Sequence, residues 1–276
     1  MKISEWIVRL RRSPLAGNLK VLVPGFVRRA CWNLTARQEE FQVMGSRMFI
    51  PPGARTRDLV LDRYEPEVSA CIRQLLHPGM VFCDVGANLG VFTLLAARQV
   101  GLRGRVFAFE PVPANFAALR RNVEANHFDN VTCIPKAVAQ NNGISKLFLS
   151  QYCGSHSLVG KPAASTGESL DVEVVRLDSV PGIEQIDLLK IDVEGAELEV
   201  LEGLGRLRPK IILEYNAERI LHRGLDGSAF LERLKALGYE NVTNIDCPDA
   251  GLEPVTNGKD TTVNLLASPA RRAAYA

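Results

Sequence analysis

A short apolar run, Met80 to Val85, ends in Asp84-Val85-Gly86-Ala87-Asn88-Leu89-Gly90 and gives way at once to helical spacing at Leu89, Phe92, Leu95, Ala96 and Val100. Few folds accept that join. A buried strand that turns through glycine straight into a helix belongs to a parallel sheet, whose strands need a crossover helix between them. Gly86 ends the strand and is free to take a positive φ. Gly90 lets the helix pack close to the strand. The spacing G-x-N-x-G lacks the second glycine and the register of the dinucleotide fingerprint, which argues against a nicotinamide cofactor. The helix N-terminus and the N–H groups of the turn are expected to face an anionic part of a ligand above the sheet.

The alternation continues. Arg105–Phe109, Val131–Pro135, Ile186–Ile191 and Lys210–Glu214 read as further strands, and Val242–Ile245 and Thr261–Leu266 as late ones. Ala114–Asn126, Ala196–Leu204 and Ser228–Leu237 read as helices, and Pro66 opens another over Glu67–Leu76 with Glu65 or Tyr64 near its cap. The expected architecture is α/β, a mostly parallel seven-stranded sheet flanked by helices, with its ligand at the switch point beyond the carboxyl ends of the strands. Residues 61–276 form that domain, and residues 1–60 an extension with a small hairpin near Pro51-Pro52-Gly53. Ala139 to Val180 breaks the rhythm. Leu147-Phe148-Leu149 and Val172–Leu177 read as an inserted β-hairpin around the Gly- and Ser-rich stretch Gly154–Gly167, a candidate substrate loop.

Charge narrows the partners. The chain of 276 residues is 46% hydrophobic and carries a net charge of +2, a balance that speaks against a nucleic-acid binder as a whole. Met1 to Arg37 nevertheless holds eight basic residues and one acid, Glu5, interleaved with Trp6, Leu10, Leu22 and Phe26. That segment reads either as a solvated helical face or as a peripheral contact with an anionic membrane or partner. No run approaches the roughly 20 apolar residues of a membrane span, and no apolar core follows the first arginines as a secretory signal requires. Six cysteines without a CxxC pair fit a reducing, cytoplasmic compartment.

Three sites carry chemistry. Glu110 ends the second strand, where an acid accepts hydrogen bonds from two ribose hydroxyls. Lys190 and Asp192 share one face of the fourth strand at its carboxyl end, as a structural ion pair that caps the next helix or with Asp192 beside the reacting centre. Glu214 and Asn216, ending the neighbouring strand, could join Asp192 around Mg²⁺.

With Tyr64-Glu65-Pro66-Glu67, Phe109-Glu110-Pro111, Gly154-Ser155-His156-Ser157-Leu158, Arg176-Leu177-Asp178 and Lys190-Ile191-Asp192-Val193-Glu194-Gly195-Ala196-Glu197, the chain resembles the FkbM family of methyltransferases from about Phe49 to Leu266. The resemblance implies a Rossmann-like class I fold, S-adenosylmethionine as cofactor, and O-methylation of a hydroxyl on a small molecule or glycan. It implies that Gly86, Asn88 and Gly90, with Asp84 and Ala87 in the same turn, surround the methionine part, and that Glu110 holds the ribose. Thr93, one turn into the helix, joins that set, and Ala137-Val138 lie against the adenine, with Gln140 and Asn141 the nearest polar groups. A hydroxyl acceptor needs its proton removed or its oxygen polarised by a metal. Asp192 is the expected base or orienting group, and His156 the rival base. Rival readings are a nucleic-acid methyltransferase, an NAD-dependent oxidoreductase and a non-catalytic cofactor-binding scaffold. The oligomeric state stays open, a homo-oligomer included.

Overall fold

The computed structural model describes residues 40–50, 64–150, 156–159, 165–258 and 261–270. The basic segment 1–37 and Pro51-Pro52-Gly53 lie outside them. The chain divides into two compact units, Met1–Glu40 and Phe41–Ala276.

The second unit is built on a seven-stranded sheet. Its strands are β3 (Val81–Val85), β4 (Arg105–Phe109), β5 (Val131–Ile134), β9 (Leu188–Ile191), β10 (Lys210–Asn216), β11 (Asn241–Asn244) and β12 (Thr262–Ser268), in the order β11-β12-β10-β9-β3-β4-β5. The five strands from β10 to β5 are parallel, and β12 runs antiparallel between β10 and β11. The chain leaves β3 for β4 and β5, then returns across β3 to β9, so the switch point lies beside β3. The seven expected strands and their alternation are all present.

Every residue of β3 is buried, and its alternate side chains feed two cores. Val81, Cys83 and Val85 join Leu189 and Ile191 beneath α4 (Glu197–Glu202), α5 (Ala217–His222) and α6 (Gly227–Ala236). Phe82 points the other way, to Val68 and Ile72 of α1 (Pro66–Leu75) and Phe92, Leu95 and Val100 of α2 (Val91–Val100). Each such side chain contributes roughly 1.5–3 kcal/mol by leaving water. The same parity sets Asp84 and Lys190, register partners on β3 and β9, on the α2 face. Two buried charges survive in a sheet interior because they are of opposite sign.

A hairpin, β1 (Glu40–Val43) and β2 (Ser46–Phe49), turns at Met44-Gly45, upstream of the expected Pro51-Pro52-Gly53. Phe41, Val43, Met48 and Ile50 pack on Ala87, Leu89, Leu94 and Leu119. α3 (Pro113–Ala125) treats β2 as a strand partner. The amides of Asn122 and Asn126 bond both backbone groups of Phe49 and of Arg47 at 2.7–3.2 Å, and Asn122 also reaches the Leu89 carbonyl at 2.8 Å. Spacings of four on the helix and two on the strand match because one helical turn rises about as far as two strand residues.

The insertion is a second sheet of three strands, in the order β6-β8-β7: β6 (Ala137–Val138), β7 (Gly143–Ser150) and β8 (Ser165–Val175). β7 and β8 are the expected hairpin. β6 pairs with β8 in parallel and is too short to show a period in the sequence. Two short helices also went unread, α5 and α7 (Glu253–Asn257). Among the described residues, no helix is long and apolar enough to cross a membrane. Cys71, Cys83, Cys133 and Cys247 are free, while Cys31 and Cys153 lie outside the described residues.

Candidate active site

A cavity of about 510 Å³ opens at the carboxyl ends of β3, β4, β9 and β10, within the size range of small-molecule sites. The turn after β3 forms its floor. Gly86 has φ of 84°, and a Cβ there would collide with the carbonyl oxygen of Asp192. The absent side chain is what lets the turn lie against the end of β9. Asn88 follows with φ of 50°.

Four N–H groups of this turn are taken by acceptors within the protein and do not face the cavity as expected. Those of Gly86 and Ala87 donate to the Phe109 carbonyl at 3.1 and 2.9 Å, Asn88 N–H to Glu110 Oε2 at 2.9 Å, and Gly90 N–H to the Ala87 carbonyl at 2.8 Å. The end of β4 runs close enough to take them, and a buried N–H takes the nearest acceptor. Glu110 therefore locks the turn. Its Oε1 accepts from Val112 N–H at 2.9 Å, and Asn115 adds a side-chain bond. Burial nevertheless pushes the Glu110 carboxyl up to about 7.

Of the expected cofactor residues, Gly86, Ala87, Asn88, Glu110, Ala137 and Val138 line the cavity, and Asp84, Gly90 and Thr93 do not. Thr93 donates its hydroxyl to Asp84 Oδ2 at 2.6 Å, both fully buried behind the turn, and Asp84 Oδ1 has no hydrogen-bond partner among the described residues. Gly90 faces Leu119 of α3, 2.7 Å from where its Cβ would stand. Gln140 gives its carbonyl to Arg176, not to the cavity. The wall beyond β6 comes from the insertion, through Leu147, His156 and Leu158.

The opposite wall is acidic. Asp192 and His156, the two expected catalytic residues, both line the cavity. Lys190 Nζ bonds Asp192 Oδ2 at 2.9 Å and lies 4.7 Å from the centre of the Phe92 ring. Burial alone would push the Lys190 ammonium down, but Asp192, Glu65, Asp84 and Tyr64 together hold it above its ordinary value. Carboxylate oxygens of Asp192, Glu194 and Glu214 lie within 4.8 Å of one another. Glu214 is pushed up to about 9 by burial and then by Asp192, Glu194 and Glu197. Asn216, expected beside them, is used elsewhere. Its side chain caps α5 through Arg219 N–H at 3.1 Å and donates to Thr262 at 3.0 Å. Glu194 takes its place.

Tyr64 and Glu65 complete the wall, and sequence reasoning gave them no part in the site. Glu65 sits at the N-cap of α1 in the left-handed region, φ 41° and ψ 64°, and its side chain caps nothing. It takes a hydrogen bond from Tyr64 and lines the cavity, with burial raising its carboxyl. The signal was Pro66, which bars Glu65 from ordinary helical geometry. Among the described residues five non-glycine residues have positive φ, and three of them, Glu65, Asn88 and Glu194, line this one cavity. Backbone strain gathers where function requires it.

The Glu194 loop is fastened from outside. Its carbonyl accepts from Ser157 Oγ at 2.8 Å and from Arg219, and its carboxylate pairs with Arg219. Arg223 binds the Gly195 carbonyl at 2.9 Å and pairs with Glu199. Helix α5 supplies Arg219, and its C-cap residue is Arg223.

The strand order, the glycine turn and a buried acid at the end of β4 define a Rossmann-like class I methyltransferase fold. Within that class the chain belongs to the FkbM methyltransferase family, because the Methyltransferase FkbM domain matches residues 84–240, more than half of its length. It is 31% identical over 142 residues to Methyltransferase 1 of Beauveria bassiana, covering 44% of this chain and 57% of the relative. It is 34% identical over 160 residues to the 31-O-demethyl-FK506 methyltransferase FkbM of Streptomyces tacrolimicus, at 47% and 61% coverage. To the hexuronic acid methyltransferase AglP of Haloferax volcanii it is 29% identical over 160 residues, at 54% and 59%. The chain thus spans about three fifths of the length of these curated relatives.

Proposed function

We propose that the chain transfers a methyl group from S-adenosylmethionine to a hydroxyl of a small molecule or glycan. One observation carries the reading: Glu110 and Asp192 line a single cavity from strands on either side of β3. The residues fit the cofactor. Glu110 keeps a lone pair for a ribose hydroxyl beside the two backbone N–H groups and the Asn115 amide that it already accepts. Ala137 and Val138 offer an apolar flank to the adenine, and Gly86 to Asn88 the methionine part. Asp84, Gly90 and Thr93 act from behind, by shaping the turn. When bound, S-adenosylmethionine supplies an electrophilic methyl group.

Asp192 orients the acceptor hydroxyl and receives its proton, held in place by Lys190. The names of the relatives from Streptomyces and Haloferax, one for a 31-O position and one for hexuronic acid, support an oxygen acceptor and make glucuronic acid a rational first probe. Calorimetry with S-adenosylmethionine and radiolabel transfer to sugar and uronic acid hydroxyls test the reading. Asp192→Asn is expected to lower turnover by about 10²–10⁴-fold while cofactor affinity stays within about threefold. Full turnover in that variant would reassign the residue.

A divalent cation such as Mg²⁺ at Asp192, Glu194 and Glu214 is the finer reading, favoured by their mutual approach. It would polarise the acceptor oxygen. Chelation followed by Mg²⁺ add-back is expected to abolish and restore transfer, and activity indifferent to chelator would remove it. On sequence grounds we also place the chain in the cytoplasm, with its basic segment 1–37 facing an anionic surface.

A further inference from the structure

His156 enters the cavity in a fixed setting. Its neighbour Ser157 makes a two-way backbone bridge with Phe148 of β7, at 2.8 and 3.1 Å. Ser157 Oγ also bonds the Glu194 carbonyl at 2.8 Å, joining the insertion to the acidic wall. His156 Nδ1 accepts the Ser150 N–H at 3.0 Å. Nε2 has no partner among the described residues.

That bond decides what the ring can do. A backbone N–H has only a proton to give, so Nδ1 must present its lone pair. A neutral ring with Nδ1 unprotonated carries its hydrogen on Nε2. Burial lowers the His156 pKa and so favours this neutral form. The edge left for a ligand is thus an N–H, which can give a hydrogen bond and cannot remove a proton.

We propose that His156 is a hydrogen-bond donor that selects acceptor molecules bearing a lone-pair oxygen, such as a carboxylate, carbonyl or ether, beside the hydroxyl to be methylated. It is not the general base. No bond of the substrate is made or broken at His156; its Nε2–H stays on the ring throughout. The choice of acceptor rests on the methyltransferase reading, whereas the tautomer does not.

Two measurements on the full chain decide it. Long-range ¹⁵N–¹H correlation spectra at pH 7, with His156→Gln used to assign the signal among four histidines, are expected to show Nε2 protonated and Nδ1 bare. An Nδ1–H or doubly protonated ring overturns the proposal, whether or not methyl transfer is ever found. In transfer to methyl glucuronoside, His156→Phe is expected to raise the acceptor KM about tenfold or more with kcat within about threefold. His156→Gln, whose amide N–H stands in for the ring donor, is expected to recover most of that loss. If both variants instead lose about 100-fold or more in kcat at unchanged KM, His156 is the base and the proposal fails. A wild-type chain that binds S-adenosylmethionine but methylates no hydroxyl defeats the methyltransferase reading, and the spectra then decide the tautomer alone.

Discussion

On the glycine-turn side of the cavity a single carboxylate, Glu110, is held at both oxygens by backbone N–H groups. On the other side four carboxyls, Glu65, Asp192, Glu194 and Glu214, line the cavity together with one buried ammonium, Lys190. The first side is made of main chain and tolerates its one acid by hydrogen bonding. The second is made of side chains from three separate stretches and is balanced by charge. A site built from backbone is set by strand order, whereas a site built from charges depends on each partner being present.

Lys190→Met tests that contrast hardest. Removing the cation leaves Asp84 and Asp192 without their common partner, and loss of one member of a buried pair costs about 3–5 kcal/mol. Denaturant unfolding should show that loss, and a change under 1 kcal/mol would mean that the acids are balanced otherwise. Gly86→Ala strikes the junction between the two sides. Positive φ and the Asp192 carbonyl together should cost about 1–3 kcal/mol and weaken S-adenosylmethionine binding at least tenfold. Retained affinity by calorimetry would show that the turn can shift.

The smallest expected effect is with pH. Glu110 has its carboxyl raised from 4.5 to about 7 by burial. A raised carboxyl supports the folded state fully below pH 4.5, and that support is lost as pH rises through 7. Ribose hydroxyls donate to the ionised form, so cofactor affinity should move the other way. It should fall up to about tenfold per unit below pH 7 and level off above it. Affinity flat from pH 5.5 to 8 would place the ribose elsewhere.

The backbone side was the more legible one. β4 has its expected bounds, Arg105–Phe109, because a strand buried from Val106 to Phe109 between two turns leaves no register to choose. Glu110 followed from its place at the end of that strand. The engagement of the turn N–H groups did not, since sequence does not show which carbonyl of a neighbouring strand lies opposite. On the charged side, Lys190 and Asp192 were visible as charges where a buried strand should have none. Tyr64 and Glu65 were visible as a helix start and as part of a family motif but not as site residues, because their meeting with Lys190 depends on a strained φ that residue type does not announce. Helix α5 was missed because it begins where β10 ends, with Asn216 serving both. Its arginines make contacts across more than twenty residues, which no local period reveals.

Gly86 carries one more consequence. With no side chain between them, the turn and the end of β9 meet main chain against main chain, so the gap between the two sides is gauged by peptide geometry alone. Residues of the outer wall, such as Leu147 and Leu158, can then be exchanged for other shapes without resetting that gap. A scaffold whose critical spacing is decoupled from its replaceable lining can diversify its clientele by substitution at the rim, and an engineer seeking a new acceptor should leave the hinge of the jaw untouched and recut only its teeth.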